Sequence, residues 1–211
     1  MSRELINECE DGNLEEAKKR ILNGENVNMT NASGCTPLYI ASHKGHLEIV
    51  KVLIASGALL DKADNDGYTP LYTASKNGHF EIVKVLIASG ASLDKAETNR
   101  YGCTPLHIAS DKGHLKIVKV LIASGALLDE AYNDGWTPLY IASYEGHLEI
   151  VKVLIVNTAN FFYMNNEGER PLDVAITKEI RQCIMNHPWY RRRPLLLTRP
   201  QVDHGLIRSI N

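Results

Sequence analysis

The sequence Thr-Pro-Leu-Tyr-Ile-Ala at residues 36–41 decides the fold, because it returns at regular intervals along the chain. Residues 69–74 read Thr-Pro-Leu-Tyr-Thr-Ala, residues 104–109 read Thr-Pro-Leu-His-Ile-Ala, and residues 137–142 read Thr-Pro-Leu-Tyr-Ile-Ala. The copies begin 33, 35 and 33 residues apart, and a worn copy, Arg-Pro-Leu-Asp-Val-Ala, begins 33 residues later at residue 170. A fixed period of this length indicates a stack of small units, none of which can bury its apolar face alone. The repeat therefore predicts a solenoid whose function lies on a surface rather than in a pocket.

Each unit carries the signals for two helices and a loop. Thr36 followed by Pro37 is typical of a helix start, since the threonine hydroxyl can accept from exposed amides and proline needs no donor in the first turn. Residues 47–56 then have the wide apolar face of a second helix, and Gly57 suits the left-handed residue that follows a helix end. Turn-forming residues fill 59–67, before the next Thr-Pro.

These residues resemble the ankyrin repeat, whose signature is Thr-Pro-Leu-His-x-Ala at a 33-residue period. The sequence Gly-His-Leu-Glu-Ile-Val-Lys-Val-Leu-Ile-Ala-Ser-Gly-Ala at residues 45–58 is also close to the family pattern, and versions of it begin at Gly78, Gly113 and Gly146. The resemblance covers roughly residues 1–185. It implies an all-α repeat solenoid, an ankyrin array of helix-turn-helix units with β-hairpin fingers, and it implies a binding scaffold without identifying a partner.

The repeat period divides the chain into seven parts. We predict an N-terminal capping repeat at 1–30, four ankyrin repeats at 31–63, 64–98, 99–131 and 132–164, a degenerate C-terminal capping repeat at 165–186, and a basic, proline-containing tail at 187–211. The 35-residue spacing is explained by a two-residue insertion in the finger at the end of the 64–98 unit.

Composition argues against several classes of partner and location. The net charge is −2, but the tail carries five arginines and one aspartate, which leaves 18 basic and 24 acidic residues, a net charge of −6, in the rest of the chain. An acidic body makes nucleic acid an unfavourable main partner, because phosphate binding needs a basic surface. Lysine interrupts the longest apolar runs, and the N-terminus lacks the apolar core of a signal peptide, so neither a membrane span nor secretion is predicted. We expect an intracellular monomer in the cytoplasm, with the nucleus as the alternative.

Variation among the units indicates where a partner would bind, because the framework is nearly identical from one unit to the next. The variation concentrates in the fingers and at the ends of the first helices, two regions that line one concave face in ankyrin proteins. By that resemblance, the concave face and its partner-binding residues are predicted to be Cys35, His43, Lys44, Asn65, Asp66, Tyr68, Lys76, Asn77, Arg100, Tyr101, Cys103, Asp111, Lys112, Asn133, Asp134, Trp136, Tyr144 and Glu145. The aromatic members suit binding hot spots. The alternative is that these rings only pack along neighbouring fingers.

Nothing in the sequence predicts catalysis, a cofactor or a metal site. There is no glycine-rich phosphate loop, nucleophile elbow or zinc-type cysteine spacing. One repeat position holds histidine in four units, at His46, His79, His114 and His147. These rings should lie ~10 Å apart, whereas metal ligands converge within about 2 Å of one ion, so we predict a buried or finger-bracing role. After Thr-Pro-Leu, the family's histidine is kept only at His107, and we expect tyrosine hydroxyls to replace some of its hydrogen bonds elsewhere.

The tail leaves three interpretations open. It is a leftover or the start of a longer domain, a basic docking or nuclear-targeting peptide built on Arg191, Arg192 and Arg193, or a segment in which Trp189 and the leucines at 195–197 fold back over the last repeat. The leading hypothesis is a non-catalytic scaffold that binds an unidentified partner protein through the concave face. The alternative is a nuclear or nucleic-acid-associated regulator that works through the tail.

Overall fold

A computed structural model describes residues 4–94 and 102–191, and within these ranges the chain forms thirteen helices and no strand. The helices are α1 (Glu4–Asp11), α2 (Leu14–Leu22), α3 (Pro37–Lys44), α4 (Leu47–Ala55), α5 (Pro70–Lys76), α6 (Phe80–Ala88), α7 (Pro105–Asp111), α8 (Leu115–Ala123), α9 (Pro138–Tyr144), α10 (Leu148–Val156), α11 (Pro171–Val174), α12 (Lys178–Asn186) and α13 (Pro188–Arg191). Six helix pairs follow one another, from α1 and α2 to α11 and α12. The predicted all-α repeat solenoid is confirmed.

The Thr-Pro step starts the first helix of each full unit, as predicted. The hydroxyl oxygen of each threonine accepts a hydrogen bond from the backbone N–H three residues later, at Thr36, Thr69, Thr104 and Thr137. Proline follows at the first helical position, where no N–H donor is required. Gly45 and Gly57 end the two helices of one unit in the left-handed region, with φ of +87° and +85°.

The core is a ladder of identical positions. The leucine of every Thr-Pro-Leu step is fully buried, as are one valine and one leucine of each facing second helix. Burial of each such side chain contributes about 1.5–3 kcal/mol, and the helices that carry them pack both on their partner within the unit and on the neighbouring units. Neighbouring first helices pack more closely than neighbouring second helices, so the stack is narrower on the first-helix side.

Hydrogen bonds between adjacent units fix their register. A carboxylate or amide oxygen in the loops after α2, α4, α6 and α8 accepts a backbone N–H of the next unit, as where Asp61 Oδ1 lies 3.0 Å from Ser92 N and Asp129 Oδ1 lies 2.7 Å from Asn160 N. A backbone hydrogen bond also joins the tips of adjacent fingers, where Asn65 N donates to Ser33 O at 2.9 Å. The described fingers contain the tight turn of a hairpin without flanking strands. The predicted insertion falls at 97–102, of which residues 97–101 lie outside the described residues.

The repeated histidines occupy a different place from the predicted one. Each ring is half-buried and reaches the last turn of the first helix in the preceding unit, as where His79 Nε2 lies 3.0 Å from the backbone oxygen of His43. The other three do the same, at His46, His114 and His147. Because a carbonyl oxygen only accepts, Nε2 carries the proton. The prediction of a buried or finger-bracing histidine was therefore wrong, and the rings join the helix ends of successive units.

Candidate binding surface

The finger tips are shaped by a side chain that mimics a backbone acceptor. In the second finger, Asp64 Oδ1 accepts from Asp66 N at 3.1 Å and from Tyr68 N at 2.9 Å. The same two bonds occur at Asn31 and at Asn165. Short oxygen-bearing side chains close turns in this way. In these three fingers the bonds hold the residue before the first-helix step, at Cys35, Tyr68 and Glu169, in a defined orientation.

The fourth finger departs from this rule, because Tyr132 occupies the position held by Asp64, Asn31 and Asn165. A tyrosine ring cannot accept those turn bonds, so the fourth finger keeps only the backbone bond from Gly135 N to Tyr132 O, which the other described fingers make as well. The ring packs on its neighbours, with its centroid 5.6 Å from that of Trp136 and 5.5 Å from that of His107. Comparing the position four residues before Trp136 among the units is the signal that would have identified this residue.

Four rings form an aromatic cluster, defined here as Tyr132, Trp136, Tyr140 and Tyr144. The Trp136 ring stacks on buried Tyr140 at 5.2 Å and lies 6.0 Å from Tyr144, which is 49% exposed. The cluster thus runs from the core of the fourth unit to solvent. In the second unit Tyr68 stacks on Tyr72 at 4.6 Å in the same manner. Tyr68 and Trp136 therefore each pack on the first helix of their own unit.

A groove of about 300 Å³ lies between the second and fourth units, and we call it the concave groove. Its lining includes four of the predicted partner-binding residues, namely Tyr68, Cys103, Asp111 and Asp134. Sequence reasoning missed its other lining residues, which are Tyr72, His107, Ile108, Tyr132 and Ile141. Most of these residues occupy positions that are buried in the repeat framework, and only their outer atoms form the floor of the groove. Their residue types therefore indicated core packing rather than binding.

His107 forms part of the groove floor as a neutral ring. Its Nε2 lies 2.9 Å from the backbone oxygen of Glu130, and its Nδ1 accepts the backbone N–H of Thr104 at 3.1 Å. Burial lowers its pKa to about 4, an effect that the hydrogen bond to Glu130 only partly offsets. In the fourth unit the Tyr140 hydroxyl donates to Glu169 Oε2 at 2.8 Å, so a tyrosine hydroxyl does replace the histidine contact with the next finger, as expected.

Two carboxylates face the aromatic rim. Burial raises the pKa of the Tyr132 hydroxyl, and the carboxylates of Asp134 and Asp111 are among the charges that raise it further. Asp111 is paired with Lys112 at 2.9 Å, while Lys76 holds its ammonium 5.8 Å from the centroid of the Tyr68 ring. The groove therefore combines apolar and aromatic walls with negative charge.

The remaining predicted residues lie away from the groove or serve the frame. His43 Nδ1 lies 3.0 Å from Thr73 Oγ1 and 3.2 Å from Asn77 Nδ2, and Lys44 pairs with Glu10 at 3.3 Å, so these helix ends join units. Asn65 bonds to the preceding finger, and Cys35 is only 8% exposed.

Other predicted positions are solvent-facing or beyond the described ranges. The side chains of Asp66, Asn133, Lys112 and Glu145 are exposed. Arg100, Tyr101, Arg192 and Arg193 lie outside the described residues, as do the leucines at 195–197, and Arg191 ends α13. The predicted tail interpretations therefore remain predictions.

The described residues contain no group of three or more histidine, cysteine, aspartate or glutamate side chains arranged to hold a metal ion. None of the described helices has the length and apolar character needed to cross a membrane. What these ranges do present is a stack of helical repeats with an aromatic groove on the side of the fingers, the architecture of a repeat scaffold.

The comparisons agree with this class. The chain matches the family model "Ankyrin repeats (3 copies)" over residues 5–97 and the model "Ankyrin repeats (many copies)" over residues 77–122 and 106–155. The chain belongs to the ankyrin repeat family. A comparison with curated proteins gave no significant match. Ankyrin repeats are in general protein–protein interaction modules, and proteins built from them are typically non-enzymatic scaffolds.

Proposed function

We propose that this chain is a non-catalytic scaffold that binds a partner protein through its concave face, with the aromatic cluster and the concave groove at the centre of the contact. The observation that carries this proposal is the exposed ring of Tyr144, supported by Trp136 and Tyr140 beneath it. Aromatic side chains supply a large contact area, and they dominate interface hot spots.

The aromatic side chains of this surface are also held in place before a partner binds. Trp136 is already held between three other rings, so binding would order few additional side-chain rotamers. Tyr68 is held in the same way by Tyr72, at the opposite end of the groove. The repeat frame supplies rigidity, while residues that differ among units supply the contact.

The repeats themselves provide substitutions that test this proposal without foreign side chains. Trp136→Cys installs the residue that the same position holds at Cys35 and Cys103. Tyr132→Asn installs the residue held at Asn31 and Asn165. The double variant therefore removes two rings while using side chains that the stack already accommodates.

The experiment is affinity capture from a lysate of the source cells under reducing conditions, read by quantitative mass spectrometry. The full chain, the chain ending at residue 191, and the double variant are compared with a control that carries Glu149→Ala and Lys152→Ala, an exposed pair on α10. We expect the double variant to lose captured proteins at least tenfold while the control and the truncated chain retain them. Equal capture by the double variant and the control would contradict the proposal.

A further inference from the structure

We infer that the concave groove accepts an arginine side chain carried by an extended segment of the partner. This inference rests on the proposed function and gives the chemistry of the bound group. Its basis is the combination of aromatic rings, apolar floor and carboxylates within one groove of about 300 Å³.

Charge is the first argument. The described residues that line the groove include the carboxylates of Asp111 and Asp134 and no lysine or arginine. His107 adds no positive charge at neutral pH, because it is buried and neutral. Lys112 neutralises part of the charge of Asp111, but Asp134 forms no ion pair within the described ranges. Within the part of the chain that the structure describes, a cationic group would therefore find at Asp134 a carboxylate that forms no ion pair.

The rings are the second argument. A cation placed over an aromatic face is attracted by about 0.5–2 kcal/mol, and guanidinium does this more often than ammonium. The protein shows such a contact on the rim itself, where the ammonium of Lys76 lies over the Tyr68 ring. Tyr132 offers a second half-buried ring beside Asp134. A planar guanidinium can stack on a ring and bind a carboxylate with two parallel hydrogen bonds.

The floor is the third argument. Ile108 and Ile141 line the groove together with the rings, so an arginine could lay its methylene stem on apolar surface and keep its charged head at the carboxylates. An aliphatic side chain of the partner would cover the same floor but would desolvate Asp134 without pairing it, which costs free energy. An arginine side chain would both cover the apolar floor and pair with the carboxylate of Asp134.

The test uses the full chain and a displayed library of random twelve-residue peptides. Peptides selected on the immobilised chain are synthesised with a fluorescent label, and their dissociation constants are measured by anisotropy. Each selected arginine is then replaced by citrulline, its neutral isostere, or by lysine. The protein variants are Asp111→Asn with Asp134→Asn, and a control with equal charge change, Glu48→Gln with Glu149→Gln on exposed sides of α4 and α10.

We expect the selected peptides to share an arginine whose replacement by citrulline weakens binding at least tenfold. The Asp111→Asn and Asp134→Asn variant should weaken the arginine peptide by a similar factor and leave the citrulline peptide unchanged, while the control variant binds both as the parent does. The lysine peptide should bind with an affinity between the two. Equal binding of the citrulline peptide, or of the lysine peptide, would overturn the assignment to arginine.

The same peptides separate this inference from the proposed function. If they lose binding to the Trp136→Cys, Tyr132→Asn variant but tolerate citrulline, the concave face is the binding surface and the arginine inference is wrong. If they bind that variant as tightly as the parent, the proposed function fails together with the inference. If no peptide is enriched, the arginine inference fails alone, and the lysate capture still decides the proposed function.

Discussion

At the position of Tyr132, the fourth finger has an aromatic ring in place of the side-chain oxygen that stabilises the turn in other fingers. The other described fingers use an aspartate or asparagine there, and its oxygen accepts two backbone N–H groups. Each such bond contributes about 1 kcal/mol. The fourth finger gives up these bonds and gains a ring against Trp136 and His107.

The first prediction follows from that exchange. In Tyr132→Asn, two regained turn bonds offset the lost ring packing, so the free energy of unfolding should stay within about 1 kcal/mol of the parent value. Peptide binding should nevertheless fall at least tenfold, because a wall of the groove is gone. Asp64→Ala is the comparison variant, because it removes two turn bonds without removing a ring. It should lower the free energy of unfolding by about 1–2 kcal/mol. Urea unfolding and peptide anisotropy measure both quantities. A Tyr132→Asn loss as large as that of Asp64→Ala would show that the ring is chiefly structural.

His107 leads to a pH prediction. Its folded-state pKa of about 4 lies below the ordinary value near 6.5, so the unfolded chain binds more protons between these values. The stability contributed by neutral His107 is therefore complete above pH 6.5 and is lost as the pH falls towards 4, by up to about 3 kcal/mol.

His107→Tyr tests this dependence, because tyrosine occupies the same position at Tyr39, Tyr72 and Tyr140. The variant should unfold in urea with a smaller loss of free energy between pH 7 and pH 5 than the parent. An unchanged slope in His107→Tyr would mean that other groups set the acid sensitivity.

At the scale of the element, the junction between units depends on paired glycine and histidine positions. A Cβ atom on Gly45 would lie 2.7 Å from the His79 ring, and its φ is +87°. Gly57 has nearly the same φ, +85°, but a Cβ there would meet nothing within 4 Å. The two glycines therefore separate backbone strain from a steric clash.

We predict that Gly57→Ala costs about 1–2 kcal/mol, the strain of a left-handed alanine. Gly45→Ala should cost at least about 1 kcal/mol more, because the His79 ring must move and its hydrogen bond to the His43 carbonyl would weaken. Chemical denaturation of both variants gives the comparison. Equal costs would show that the histidine contact adds little to stability.

The helices themselves were predictable from the sequence, whereas contacts between units were largely not. Threonine caps, the proline that follows them and the left-handed glycines are local signals, and α3 and α4 begin and end where these signals predicted. The bond from His79 to the carbonyl of His43 joins residues 36 apart. Every residue has a carbonyl, so the acceptor carries no sequence signature. Variation among units pointed to Asp134 and Tyr68, which line the groove, but not to Ile108, whose buried framework position indicates core packing first.

At the scale of the whole molecule, stability should be distributed along the stack. Each unit contacts chiefly its neighbours, so damage at one end affects adjacent units first. The C-terminal end is closed by α13, where the Tyr190 ring stacks on Phe162 at 5.5 Å and His187 lies 5.4 Å from Phe161.

The last prediction compares chains ending at residue 191 and at residue 186, which differ only by described residues. Removal of residues 187–191 exposes the two phenylalanines that cap the fourth unit, so amide hydrogen exchange should rise in α12 and α10. Exchange in α4 and α6 should be unchanged, since these helices contact neither the removed segment nor the units beside it. Phe161→Ala in the chain ending at 191 should reproduce the local effect without truncation. A uniform rise across all helices would instead mean that the array unfolds as one cooperative body, and the neighbour-by-neighbour account of its stability would be wrong.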